Sequence, residues 1–409
     1  MAQVNTRTKE AATYIGQETT FGTLAGTMLR AFPVEKSFMP ENEQAELENS
    51  DQRSTLYAQL ATVRGLKDGK LKVEFYGKVN STQNSDGVTA TPDYLNQIIN
   101  TALGEIKFDQ GSLVAAGSST TVVNVSSGDG ANFVVGQWIA VVVAGTLEPC
   151  RVVAIATDAL TVYPPLSGTP GTGGAVISGV THAPATDHDK TLSLQHAMVG
   201  SADQQWTLVG NTLNLGVEVK RNEIMKLMFE GAVGSWTGPS NQSISTAADT
   251  DTCTSPFAVR DCTVWFRAAG TGTATRTAYP VAEFTVKTNG KMEHIDELGG
   301  VEGKTGAFRK GQRLFAEATL KFRYDNSIDA SVWSAQTVYQ AVVVVPKGSG
   351  TTKRFIVVDL PYVRIVGKPK IVDEAGMVYM EVNLQASEDL SIASPLTDMA
   401  QAPFRLALI

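Results

Sequence analysis

Leu71-Lys72-Val73-Glu74-Phe75-Tyr76-Gly77 alternates apolar and polar side chains with a period of two, the pattern of a strand with one covered face. A short helix opens after it at Thr91-Pro92-Asp93, and the pattern resumes at Trp206-Thr207-Leu208-Val209 and runs through a turn to Ala232. The same succession returns later as Ala318-Thr319-Leu320-Lys321-Phe322-Arg323-Tyr324, a helix from about Asp329, Phe355-Ile356-Val357-Val358, and a hairpin ending near Ala386. Tyr279-Pro280-Val281-Ala282-Glu283-Phe284 likewise parallels Phe32-Pro33-Val34-Glu35-Lys36. The chain reads as one β-rich unit written twice. The expected fold class is mainly β, with two tandem β-sandwich or barrel domains, each flanked by one α-helix.

The first helix carries good signals. Thr91 supplies a capping hydroxyl, Pro92 suits the first helical position and Asp93 places an acid in the first turn. Tyr94, Leu95, Ile98, Ile99, Ala102 and Leu103 form an apolar stripe, and Gly104 is positioned to end it. Such a stripe covers one face of a sheet. In the second copy Val332, Trp333 and Tyr339 are assigned to the matching helix face.

Between the two parts of the first copy, residues 111–180 carry only four charged side chains, Asp129, Glu148, Arg151 and Asp158. Strands at Thr121–Val125, Trp138–Val143, Arg151–Ile155 and Leu160–Val162 alternate there with Gly- and Pro-bearing turns. That composition predicts a small inserted all-β domain. Insertions are tolerated on exposed loops, so it is expected to project from the surface. The expected organisation is an arm over 1–30, a discontinuous first domain over 31–110 and 181–233, the insert, a linker over 234–256, a second domain over 257–386, and an arm over 387–409. Residues 40–60, acidic and polar around Pro40-Glu41-Asn42-Glu43, read as a long exposed excursion between strands.

A chain of 409 residues with 43% hydrophobic and 18% charged residues suits two or three folded domains. Its 41 acidic and 34 basic residues give a formal charge of −7, which disfavours clamping nucleic-acid phosphates. The first residues lack the apolar core of a signal peptide, and nowhere do ~18 apolar residues run together. Three cysteines, Cys150, Cys253 and Cys262, are too few for a disulfide framework and read as reduced thiols, with a Cys253–Cys262 bridge left open.

Sites of chemistry are hard to find. Leu298-Gly299-Gly300-Val301-Glu302-Gly303-Lys304-Thr305 ends like a phosphate-binding loop, but Leu298 occupies the position that needs Gly, and Gly306 and Gly311 disfavour a following helix. An exposed hairpin or loop is expected instead. His182, Asp187, His188 and Asp189 lie close together without a metal-ligand spacing, so a solvated junction is the better reading. His196 and His294 stand alone as surface or satisfied histidines. No nucleophile elbow or paired general acid and base is evident. The expectation is no enzyme, no cofactor and no metal.

Ile15-Gly16-Gln17-Glu18-Thr19-Thr20-Phe21-Gly22-Thr23 resembles the N-terminal Gly-x-Glu-Thr-x-x-Gly-Thr signature found among tail tube proteins of long-tailed bacteriophages. Val63-Arg64-Gly65 leading into Leu71–Phe75, and the closing strand Val378–Leu384, are similar to that family too. The likeness covers most of 10–110 and 181–390, not the insert. It implies a virion structural protein, made in the host cytoplasm, whose rings stack into a hollow tail tube through which DNA passes at ejection. Phe38, Met39, Pro40, Glu41, Leu47, Leu56 and Tyr57 fall at the family's ring-stacking loop. Phe21, Leu24, Met28 and Phe404 become arm residues that contact neighbours. Because the unit is doubled, three chains are expected to close a pseudo-hexameric ring, with a ring of six chains as the alternative. Further implied partners are a tape measure, a tail terminator and a tail tip. DNA would transit without specific binding, and no membrane is involved. Other readings are a terminator, baseplate hub or decoration protein. A glycan-binding tail protein has only Trp138 and Tyr163 in its favour.

Overall fold

The computed structural model describes residues 11–34, 41–47, 63–79, 93–108, 111–198, 204–241, 255–260, 262–268, 278–279, 281–288, 292–301, 304–309, 316–323, 338–374, 376–388 and 397–409. The chain is mainly β, as expected. Strands and helices are numbered in chain order.

One five-stranded antiparallel sheet contains β1 (Ala11–Gln17), β2 (Leu29–Ala31), β13 (Leu192–Met198), β14 (Gln204–Asn211) and β17 (Ser235–Asn241), in the order β17-β14-β13-β1-β2. Residues 11–31 are therefore part of a sheet rather than a free arm. Tyr14 and Ile15 are buried, and seven residues of β1 pair with β13. Part of the expected linker is strand as well, because β17 pairs with β14 and Trp236 packs against the core.

A larger antiparallel sheet runs through both halves. In the first, β3 (Glu41–Leu47) and β4 (Val63–Tyr76) lead to β16 (Lys226–Ala232) and β15 (Asn214–Lys220). In the second, β20 (Val281–Thr288), β23 (Ala316–Arg323), β26 (Met377–Ala386) and β25 (Arg354–Glu374) follow in that order, with β15 hydrogen-bonded to β20. The 21-residue β25 then passes to β24 (Tyr339–Lys347), β18 (Thr263–Ala268) and β19 (Ala278–Tyr279). Glu41–Leu47, expected in an irregular excursion, is one arm of a hairpin against the start of β4. A separate ribbon joins β21 (Met292–Val301) and β22 (Lys304–Arg309).

The main core fills the space between these layers. Ile15, Leu192, Leu194 and Leu208 from the five-stranded sheet meet Val73, Phe75, Val217 and Phe229 from the long one. The first helix, α1 (Tyr94–Leu103), contributes its whole predicted stripe, including Tyr94, Ile98 and Ala102. Its start lies slightly later than expected. Asp93 is the cap, its carboxylate accepting the Asn96 N–H at 2.7 Å, and Gly104 ends the helix at φ +101°, where a side chain would be strained. The helix expected from about Asp329, with Val332 and Trp333, lies outside the described residues. Tyr339 opens strand β24 instead, stacked on Phe266 with ring centroids 4.8 Å apart. The run Val342–Val345 explains this, since continuous β-branched residues suit a strand covered on both faces.

Residues 112–177 form their own six-stranded sheet from β6 (Ser112–Leu113), β7 (Val122–Asn124), β8 (Trp138–Val143), β9 (Thr146–Ala156), β10 (Ala159–Tyr163) and β11 (Ala175–Ile177). The order is β6-β11-β8-β9-β10-β7, and a Val114–Val125 bridge with Ala115 N–H to Asn124 O (2.7 Å) joins the two ends. The sheet is thus closed into a small barrel around Val123, Ile139, Val141, Cys150, Leu160 and neighbours. It enters and leaves through β5 (Gly104–Phe108) and β12 (Val180–Pro184), which pair with each other. A four-residue helix, α2 (Asp398–Gln401), and β27 (Arg405–Leu408) complete the chain, with β27 between β12 and β25. Residues 397–409 are built into the body, and Phe404 is buried in this chain's own core.

Candidate assembly surfaces

The family-like signature at 15–23 proves to be a structural corner. Glu18 is buried, and its carboxylate accepts four hydrogen bonds: from the Gly22 N–H (2.9 Å), the Gly210 N–H (2.7 Å), Thr191 Oγ1 (2.7 Å) and Ser193 Oγ (2.9 Å). One acid ties the loop after β1 to β13 and to β14 beyond it. Gly16 allows this close approach, because a Cβ there would sit 2.5 Å from the Thr27 carbonyl oxygen. Phe21 and Met28 are half-buried beside this corner, whereas Leu24 is exposed. The β21–β22 ribbon reaches across to the same place. His294 Nε2 lies 2.9 Å from Gly210 O, its ring meets Phe21 edge-on, and Lys304 Nζ donates to the carbonyls of Val233 and Gly234 at 3.2 Å. The phosphate-loop-like segment is therefore in a hairpin, as expected, but its lysine is buried on backbone carbonyls.

The long sheet has two comparable rows of paired residues. Phe75 on β4 pairs with Leu227 on β16, Leu227 with Val217 on β15, and Val217 with Val286 on β20. Phe322 on β23 pairs with Met380 on β26, and Met380 with Ile371 on β25. There the second row stops. Among the described residues no strand pairs with the outer side of 364–374. Val217 is 0% exposed and Ile371 is 68% exposed. Val366, Met377 and Val378 are exposed around it, so the hairpin end shows four apolar side chains among exposed Arg364, Lys368, Lys370, Asp373 and Glu374.

Of the residues expected in a stacking loop, Glu41 and Leu47 bound β3, paired with Lys70 and Val63. Phe38, Met39, Pro40, Leu56 and Tyr57 lie outside the described residues.

The histidines are built into the interior. His182 is fully buried with Nε2 2.9 Å from Asn96 Oδ1, and burial, with Lys190 adding to it, pushes it down to about 3. His188 is buried too, whereas Asp187 and Asp189 are exposed, so the solvated-junction expectation is corrected for the histidines and not for the acids. His196 Nδ1 meets Thr13 Oγ1 at 3.0 Å, and burial lowers it to about 4. No group of three or more metal-ligating side chains occurs among the described residues. Cys150 is buried, and burial pushes the Cys262 thiol up to about 12, far from a nucleophile's range. Cys253 lies outside the described residues. Glu105 stands apart: burial and the nearby Asp398 raise it to about 6, although Lys190 and Arg405 pull the other way. No helix among the described residues is long and apolar enough to cross a membrane.

Sequence reasoning missed Asp359, a fully buried carboxylate that accepts from Trp138 Nε1 (3.0 Å), Arg151 (3.2 Å), Arg405 (3.2 Å) and Gln340 (3.4 Å). Its partners lie 19 to 221 residues away in the chain, so no local motif announces them. No protein-family model matches this chain, and neither does any curated protein.

Proposed function

We propose that this chain is a tail tube subunit of a long-tailed bacteriophage, polymerising as stacked rings around a channel that DNA traverses. On this reading the chain carries two tandem tube-like domains, each with one helix, and the barrel is an insertion in the first. The observation that carries it is the pair of matched rows. Phe75–Leu227–Val217 and Phe322–Met380–Ile371 occupy the same positions in two like arrangements, and among the described residues only the first is continued beyond its third member by another strand. An unpaired strand edge favours addition of a further strand, and a closed ring of copies removes such edges. Covering a side chain such as Ile371 returns about 1–2 kcal/mol. Three chains would close a pseudo-hexameric ring; six is the alternative.

The absence of an evident catalytic constellation in the sequence fits a structural role. The remaining tail partners (tape measure, terminator and tip) follow from the same reading, as does a place in the virion tail. Cryo-electron microscopy of the purified chain tests it. Hollow tubes or stacked rings of three chains are the expected result. Rings of six would retain the tube and remove the pseudo-hexamer. A chain that stays single at high concentration and on isolated tail tips would instead point to a terminator, hub or decoration protein.

A further inference from the structure

Lys190 lies in the short link between β12 and β13, and its side chain reaches the end of α1. Its Nζ donates to Gly104 O at 2.5 Å and to Asn100 Oδ1 at 3.0 Å. Asn100 is buried, and its Nδ2 donates to Gln17 Oε1 at 3.2 Å, so the carboxamide is held from both ends. Glu105 follows directly on Gly104, and its Oε2 is a buried atom with no hydrogen-bond partner among the described residues. Glu105 and Lys190 lie close enough that each charge acts on the other. Burial is the largest influence on both. It lowers the pKa of Lys190 against the pull of Asp189 and Glu105, and with Asp398 it raises Glu105 to about 6. A lysine that only caps a helix needs a terminal carbonyl and a full charge. Lys190 is instead drawn toward the neutral amine against a fixed carboxamide, beside an acid that exchanges its proton near neutral pH.

We propose that Lys190 and Asn100 join in an intramolecular isopeptide bond, which the chain forms on itself. The neutral Nζ adds to Cγ of Asn100; the Nζ–Cγ bond forms and the Cγ–Nδ2 bond breaks. Glu105 takes the proton that Nζ gives up and returns it to Nδ2, which leaves as ammonia. Amine and primary amide become secondary amide and ammonia, and the step needs no oxidant or co-reactant. The two residues are 90 apart in the chain, and the loop their bond closes holds β5, the whole barrel and β12. That barrel is not the free projection its composition suggests, because Trp138 and Ala140 on the outside of β8 pack on Trp265, Val342 and Phe355. A bond at the neck of the insertion removes freedom from the unfolded chain, as a disulfide across the same loop would, and the effect grows with loop length. The inference goes beyond the tube reading and holds for a single chain.

Intact-mass spectrometry of the full chain, denatured after purification, is the test. The mass is expected to fall short of the sequence by one ammonia, and a tryptic digest to contain one branched peptide joining Asn100 to Lys190. Lys190→Arg keeps a cation at the helix end but cannot form the bond. It is expected at full mass, with a urea midpoint below that of the parent. Glu105→Gln removes the proton carrier and keeps its shape, and is expected to leave most chains unlinked. A parent chain with a cooperative urea transition and full mass overturns the proposal. Loss of ammonia without the branched peptide overturns it too, since an asparagine closing on its own backbone gives that result. A fully linked Glu105→Gln chain overturns the role given to Glu105.

Discussion

Strand β15 and the outer stretch of β25 make the same pairing on one side and differ on the other. β15 is sandwiched between β16 and β20, with Val217 and Val219 buried. Residues 364–374 of β25 have β26 alone among the described residues, and Ile371 faces solvent. Lys220 closes the sealed edge with Glu218 (2.5 Å) and Glu283 (3.5 Å), the Glu218 hydrogen bond chiefly holding its pKa up. At the open edge Glu374 turns back to Lys321 within its own half. The difference teaches that burial here is set by what covers a strand as well as what pairs with it: Val217 lies in the core beneath the five-stranded sheet, and Ile371 stays 68% exposed.

The same substitution at the two places gives the widest contrast. Val217→Glu puts a carboxylate into the shared core and is expected to cost about 4 kcal/mol or more, seen as loss of the cooperative urea transition. Next comes the Glu18 corner, which anchors the turn feeding β15. Glu18→Ala strands the N–H groups of Gly22 and Gly210 and is expected to cost about 3 kcal/mol, read by the same denaturation curve.

Acid should weaken the sealed half first, since His182 and His196 lie there. The two histidines, held below their unfolded value of 6.5, contribute stability at neutral pH that is lost as pH falls toward 4 and 3. Glu105 acts oppositely: its value of about 6 exceeds 4.5, so it favours the fold at low pH and loses that contribution as pH rises to 6. Two protons against one leave the unfolded state binding about one more, and stability between pH 6 and 4.5 should drop by about 1 kcal/mol per pH unit. A pH series of denaturation curves checks this, and His196→Gln should flatten the slope.

The smallest expected change in stability is at the open edge. Ile371→Glu should alter the melting free energy by about 0.5 kcal/mol or less, as for an exposed site. Mass photometry should nonetheless show it single where the parent chain assembles. Unimpaired assembly would place the chain-to-chain contact elsewhere.

Much of the fold was readable because it is local. The alternation of Leu71–Tyr76, the stripe on α1 and the turn-rich strands of 112–177 each state their structure within a few residues. What escaped depends on distant partners. β1 and β27 are short and become strands by entering sheets assembled from residues far away. Tyr339 has helix-compatible neighbours but is held in a strand by Phe266 and Val363. The Glu18 signature was visible as a motif, but its role needed Gly210 and Thr191 beside it. The exposed end at Ile371 was not legible, because alternation predicts two faces and says nothing of a missing neighbour.

The closure of the barrel at Val114 and Val125 has a consequence of valency. Each copy of the chain brings this module with no unpaired strand on its rim, so it adds bulk without adding a contact that could branch. Should the chain polymerise as proposed, growth would run through strand edges elsewhere in the molecule, and the product would be a linear polymer rather than a gel.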